Sequence, residues 1–343
     1  MLSTQTPTPH HAAPEHAPPA ALRAMGIVAV LTIAIAIVAI AFALPASRSK
    51  PHAIPIGAAG PQAATSQIAE RLEQQAPGAF KLTYYPGENT LREAILNRNV
   101  YGGIAFGPEG PTLLTATGGS PAVAQLLTQI GSGIAAHSGM VLHTEDLAPP
   151  TSQDPRGTGL AASALPITLA GMLPAAALTL MLRREVWTRL TATIVFSAVA
   201  GITVAALLRY VFGSIDSNLW GVAAGLTLGI AAAGLVILGL GALFGKVGLA
   251  VGAALALLLG NPLSGLTSAP EMLPAGWGRL GQLLPQGAAA TLLRSTAYFG
   301  GNGADTAIIV LSCWAIVGLM LVISAALRRP GRTAPKMQLR GTR

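Results

Sequence analysis

Six stretches of this sequence, residues 25–44, 160–182, 191–211, 219–244, 247–263 and 307–327, are apolar over roughly the 20 residues that an α-helix needs to cross about 30 Å of hydrocarbon. None carries Asp, Glu, His, Lys or Arg in its interior, and Arg209 and Lys246 stand at span ends. Such runs cannot all be buried in one water-soluble core, so lipid is the solvent of much of this chain. Composition agrees, since 52% of the 343 residues are hydrophobic and 10% charged, against roughly a quarter charged in soluble domains. The fold class expected is a polytopic α-helical membrane protein with six transmembrane helices. The fourth and fifth runs are separated by Gly245 and Lys246 alone, so a count of six needs a tight turn there, and five or seven spans stay open.

Basic residues set the sidedness, because Lys and Arg gather on cytoplasmic flanks. Arg23, Arg183, Arg184, Arg189, Lys246 and a tail holding Arg328, Arg329, Arg332, Lys336, Arg340 and Arg343 all fall on one side when six spans are counted. Both termini are then cytoplasmic in a plasma membrane, with residues 1–24 a disordered tail and 328–343 a basic one. Residues 45–159, 212–218 and 264–306 lie outside. The net charge of +8 reads as this topology rather than as affinity for nucleic acid, which is set aside as a partner. The first run exceeds the 7 to 15 residues of a signal core, which favours an uncleaved anchor over a cleaved leader.

Residues 45–159 shift to ordinary globular composition and predict an α/β extracytoplasmic domain inserted between the first two spans. AIPIGAAG, FKLTYYP, VYGGIAF, PTLLTAT and MVLHTED read as strands; PQAATSQIAERLEQQAP, NTLREAILNRN and SPAVAQLLTQIGSGIAAHS read as helices. Pro61 suits a first helical position, Thr90 with Glu93 has capping-box spacing, and Ser120 with Pro121 forms an N-cap and N1 pair.

No catalytic chemistry is legible, and the chain reads as no enzyme. A single cysteine, Cys313, rules out an intrachain disulfide. His10, His11 and His16 lie in the Pro-rich tail and His137 and His143 at a helix end and a strand, so no metal site and no cofactor is expected. GLGALFGKVG, residues 239–248, has Leu240 and Val247 where a phosphate loop needs Gly and Ser or Thr, so it is a span junction. Gly221, Gly225 and Gly229, followed by Ala233, make a small-residue ridge suited to packing within the bundle or to a homodimer interface. Pro166 and Pro174 should kink the second span.

Residues 264–306 are too broken by Gly and Pro to span and too apolar for a solvated loop. Leu273, Trp277, Leu280 and Leu284 recur at intervals of four, three and four, which predicts one buried face of a helix starting near Pro274. A second helix is expected from Pro285 to Phe299, with Arg279, Gln282, Gln286 and Arg294 open to water or headgroups. Broken backbone at membrane depth needs protein or a wet cavity around it. These residues, with Pro274 and Pro285, are the candidate outer gate, re-entrant or interfacial; a surface amphipathic loop anchored by Trp277 and Tyr298 is the alternative.

One span, a large outer α/β domain and five further spans resemble the permeases of ABC transporter type-2 exporters, and within them the large-ectodomain branch that includes the YhgE/Pip (phage infection protein) family. The residues that carry the resemblance are NPLSG at 261–265, Leu273-Pro274, Leu284-Pro285 and LLRSTAYFGG at 292–301, with PIGAAGP and REAILNRNVYGGI in the outer domain. The resemblance implies a half-transporter that dimerises in membrane lipid, exports an amphiphilic or lipid-like compound, and couples to a separate cytoplasmic ATPase subunit. RREVWTR, with Arg183, Arg184, Glu185, Trp187 and Arg189, is then the candidate coupling loop; a positive-inside anchor reads equally from it. A surface protein whose outer domain binds an envelope component, with the spans as anchors, is the other reading.

Overall fold

The computed structural model describes residues 20–328 apart from 109, 139–140 and 183–184. It is mostly helical, with a small sheet, and among the described residues five helical runs are long and apolar enough to cross a membrane: Ala20–Ser47, Thr158–Met181, Val186–Val211, Leu219–Gly260 and Asp305–Leu327. These are the helices of a membrane protein. The first, α1 (Ala20–Ser47), has no buried residue in its most apolar stretch, and its aliphatic side chains from Leu22 to Ile40 are exposed. In lipid, that all-round apolarity needs no protein cover.

The fourth run explains why five are found where the sequence suggested six. Helix α8 (Leu219–Ala254), continued by a π-helical turn at Leu255–Gly260, is interrupted at Gly245, whose φ of 63° and ψ of −138° are open essentially to glycine alone. The chain folds back there: a Cβ on Gly248 would overlap the Leu240 carbonyl, and one on Gly252 would lie 3.2 Å from Ile237. The two limbs, residues 219–244 and 246–260, therefore pack side by side. Lys246 is exposed at the turn.

The first limb is the hub of the bundle and touches α6 (Ala164–Met181), α7 (Val186–Ala206), α10 (Pro285–Tyr298) and α11 (Asp305–Leu327). Small residues set these approaches. A Cβ on Gly171 of α6 would come within 2.9 Å of Ala233, and one on Gly318 of α11 within 2.5 Å of the Leu235 backbone. Such close backbones gain dispersion contact where no hydrophobic force drives association.

One expectation for the second span, the kink at Pro166, needs correction. Its helical run breaks at Ser163 between α5 (Thr158–Ala162) and α6, so Pro166 sits in the first turn of α6. Its missing N–H costs little there, and Pro174 is the interior proline.

The α/β elements fall where the sequence placed them. Strands β1 (Ile54–Ala59), β2 (Phe80–Tyr85), β3 (Gly102–Gly107), β4 (Gly110–Thr115) and β5 (His143–Asp146) form one sheet in the order β2-β1-β3-β4-β5. The β1–β2, β1–β3 and β4–β5 pairs are parallel and β3–β4 is an antiparallel hairpin. Helices α2 (Gln62–Gln75) and α4 (Pro121–Ser138) cover one face, α3 (Glu88–Leu96) the other. Side chains alternate accordingly, Leu113 facing α2 and α4 and Leu114 facing α3. Ser120 caps α4 through the Val123 N–H (3.4 Å), as expected. Thr90 is not the N-cap of α3 but its third residue, and it closes the helix start from there: its hydroxyl accepts from the N–H of the N-cap Gly87 (3.2 Å) and donates to Gly87 O (2.7 Å). Helix α2 begins one residue later than expected, with Pro61 preceding it.

Candidate functional site

The broken stretch joins the two halves of the molecule. Two short helices form it, α9 (Trp277–Leu283) and α10, preceded by a 3-10 turn at Pro270–Met272. Helix α10 is buried along nearly its whole length against α8 and α11. At its end Phe299, 6% exposed, enters the α3-side core of the α/β unit among Leu91, Ile95, Val100 and Ala116. On the other face, Ala269 joins the core of Ile54, Ile68, Val123 and Leu127, with Met272 packed against it. Both cores of the sheet are thus completed by residues far along the chain. The segment leaving α1 is held here too: Lys50 N–H donates to Met272 O (3.0 Å) and His52 N–H to Glu271 O (2.9 Å).

Between these elements lies a cavity of about 1030 Å³, in the size range of a small-molecule site. Its buried wall includes Ile95, Val100, Leu273, Ala290, Arg294 and Phe299; Lys81 and Arg279 stand at an exposed rim. Arg294, 7% exposed, donates from Nη1 to Gly119 O in the α/β unit and from Nη2 to Leu266 O. Arg98 donates from Nη1 to Thr291 O (3.0 Å) and to Ser295 Oγ, and its guanidinium lies 5.3 Å from the Phe299 ring centre, within cation–π range. Tyr101 Oη donates to Glu271 Oε2 (2.8 Å). Burial lowers the pKa of both arginines, that of Arg294 to about 10 with the Arg98 charge adding to the effect, while burial and the Glu271 carboxylate push the Tyr101 phenol up.

No family model, curated protein or solved structure matches this chain. What the site can do therefore rests on its own geometry.

The proposed outer gate is placed here, with its faces reversed. Helix α9 starts at Trp277, not near Pro274, and its buried residues are Gly278 and Gly281. Leu273 is buried and Leu284 and Pro285 half-buried, but Trp277 and Leu280 are 38% and 49% exposed. The physical reason is close approach: a Cβ on Gly278 would overlap Pro270 O and one on Gly281 would overlap Leu263 O. The glycine face packs and the apolar side chains turn outward. Gly281→Val should shift this backbone at a cost of about 1–3 kcal/mol, read as a lowered midpoint of thermal unfolding in detergent; an unchanged midpoint would show that α9 is not docked. Arg294 is likewise not open to water, and Gln282 is engaged, donating to Ser264 O (3.2 Å) and accepting from Thr291 Oγ1 (2.6 Å).

The glycine ridge is used inside the bundle. A Cβ on Gly229 would lie 2.8 Å from Ala289 and one on Gly225 3.1 Å from Leu292, both of α10, whereas Gly221 faces the side chain of Asn218 and Ala233 faces Gly171. Of the candidate coupling loop, Arg183 and Arg184 lie outside the described residues. Glu185 precedes α7 and is exposed, Trp187 is 61% exposed, and Arg189 is 2% exposed in the first turn of α7. The third span begins about a turn earlier than the apolar run suggested, so an arginine lies within a membrane-length helix after all. Sequence missed Arg98 as a site residue. Its one available signal was its place directly after a helix end, where glycine is usual.

Proposed function

We propose that the chain is a six-span permease that receives an amphiphilic or lipid-like compound at the junction cavity and moves it across the membrane, with energy from a separate ATPase. The two limbs of α8 count as two crossings in this reading. Exposed aromatics support it: Trp187 and Tyr210 stand near opposite ends of the third helical run, about 35 Å apart at 1.5 Å per residue, the spacing of two membrane interfaces with aromatic belts. The loop at 212–218 is tied to the linker after the sheet, Ser214 Oγ donating to Asp154 Oδ2 (2.7 Å), which supports a topology in which the loop and the α/β unit lie on one side, the outer side in this reading.

The observation that carries the proposal is that the cavity has one wall from the α/β unit and the other from helices seated in the bundle. A ligand there touches both. The resemblance to type-2 export permeases points the same way. Protein purified from its native membranes should bring down an ATPase, and in proteoliposomes with MgATP should move a fluorescent-tailed phospholipid between leaflets, measured by quenching of the outer pool. Absence of both an ATPase and lipid movement would sink the permease.

A second observation favours a binding protein that does not transport. A neighbouring cavity that shares Ala290 with the junction cavity, and is lined by Ala164, Asn261, Gln286 and Ala289, holds about 20 Å³. Ligand binding with no leaflet transfer would select that reading. Because Phe299 and Ala269 complete the sheet cores, the α/β unit tethered by α1 alone is not a valid test of either.

A further inference from the structure

Charge in the junction cavity is unbalanced. Arg98, Arg279, Arg294 and Lys81 line it as cations, and Glu271 is the acidic lining residue. That carboxylate already accepts from Tyr101. Neither Arg98 nor Arg294 forms a salt bridge with a described residue. The Arg294 side chain is buried, and its Nε has no hydrogen-bond partner. An uncompensated buried guanidinium is strongly destabilising, and an aliphatic side chain would fill the same space without that cost.

Arg98 carries a second, independent cost. The N–H of Asn99 bonds Ala94 O (2.8 Å) at the end of α3, which leaves Arg98 in the left-handed position of a helix-ending turn, at φ 60°. Glycine is the least strained residue there. The chain instead places a guanidinium that reaches Thr291 and Ser295, on either side of Arg294 along α10. Two unfavourable choices converge on one wall of one cavity.

We infer that this wall is the receptor for the oxyanion headgroup of an amphiphile, a phosphate or a carboxylate, with Arg98 and Arg294 as its ligands. The inference rests on the reading that the junction cavity is the ligand site. Guanidinium forks match the oxygens of such groups, and the bound anion neutralises the buried charge that the protein leaves unpaired. Lys81 and Arg279 at the rim draw the anion in, an attraction that weakens with salt. Leu283, a lining residue that is 60% exposed, with Leu280 and Trp277 beside it, gives the apolar tail a route from cavity to lipid.

The test uses the full chain in a neutral detergent and three probes: dihexanoyl phosphatidic acid, dihexanoylglycerol with the same tails, and inorganic phosphate, titrated calorimetrically. The wild-type protein should bind the phosphatidic acid at least tenfold more tightly than the glycerol. Arg98→Gln and Arg294→Gln should each erase most of that preference, read as the ratio of the two affinities within each variant; the wild-type comparison stands even if a variant fails to fold. Equal binding of the two amphiphiles would overturn the anion receptor and leave the cavity as an amphiphile site. Binding of phosphate without either amphiphile would keep the anion receptor and remove the amphiphile from it. No binding of any probe would overturn both.

Discussion

Replacing Phe299 with alanine is expected to cost about 3–5 kcal/mol, the range for deleting a buried aromatic ring. The ring belongs to a core otherwise built from α3 and the sheet, roughly two hundred residues earlier in the chain, and it also lies under the Arg98 guanidinium. Alanine would therefore remove packing from the α/β unit, loosen its attachment to α10 and release one wall of the cavity together. The measurement is the midpoint of thermal unfolding in detergent, alongside limited proteolysis of the loops around the sheet. Phe299→Leu should recover much of the loss because it refills most of the volume. Equal stability of Phe299→Ala and wild type would mean that the α/β unit is not joined to the bundle through this residue.

That joint also separates what the sequence could disclose from what it could not. The strands and helices of the α/β unit were legible because alternation, helical spacing and caps such as Ser120 act within a few residues. The turn at Gly245 was legible because a lysine and a glycine interrupt an otherwise continuous apolar run. Helix α9 departs from its apolar spacing because close backbone approach sets its packed face, a pattern that a lipid solvent would allow. In water, the spacing of Trp277, Leu280 and Leu284 marks the face that packs; in a bilayer an apolar face is as well served by lipid, and Gly278 and Gly281 mark the packed face instead.

Arg294 shows a different limit. Beside Gln286 and Arg279 in sequence it reads as part of a solvated stripe, and only the α/β unit seated over α10, with Gly119 O as an acceptor, closes the water out. Its burial depends on contacts more than a hundred residues apart, which no local pattern carries. The cavity has the same origin: residues from 52 to 119 and from 265 to 303 line it, and neither set encloses a space alone.

Replacing Asp154 with alanine is expected to cost about 3 kcal/mol or more at neutral pH, since several hydrogen bonds to one charged group are lost and their buried donors are orphaned. Asp154, 8% exposed, caps the start of the second span. It accepts from the N–H groups of Thr158 (2.9 Å) and Gly159 (2.8 Å), from Thr158 Oγ1 (3.1 Å) and from Ser214 Oγ (2.7 Å). Burial alone would raise its pKa, but the bonds from Gly159, Ser214 and Thr158 together outweigh burial and hold the carboxyl below its ordinary value. The sign of the pH dependence follows. A depressed folded pKa gives stability that is fully present above the unfolded value, about 4, and is lost as pH falls through the folded one. The difference in thermal midpoint between wild type and Asp154→Ala should thus be constant from neutral pH to about 5 and narrow below about 4. Asp154→Asn, which keeps one acceptor oxygen, should fall between them and show a similar narrowing. A difference that widens on acidification would mean that the carboxylate is not what fastens the loop at 212–218 to the linker.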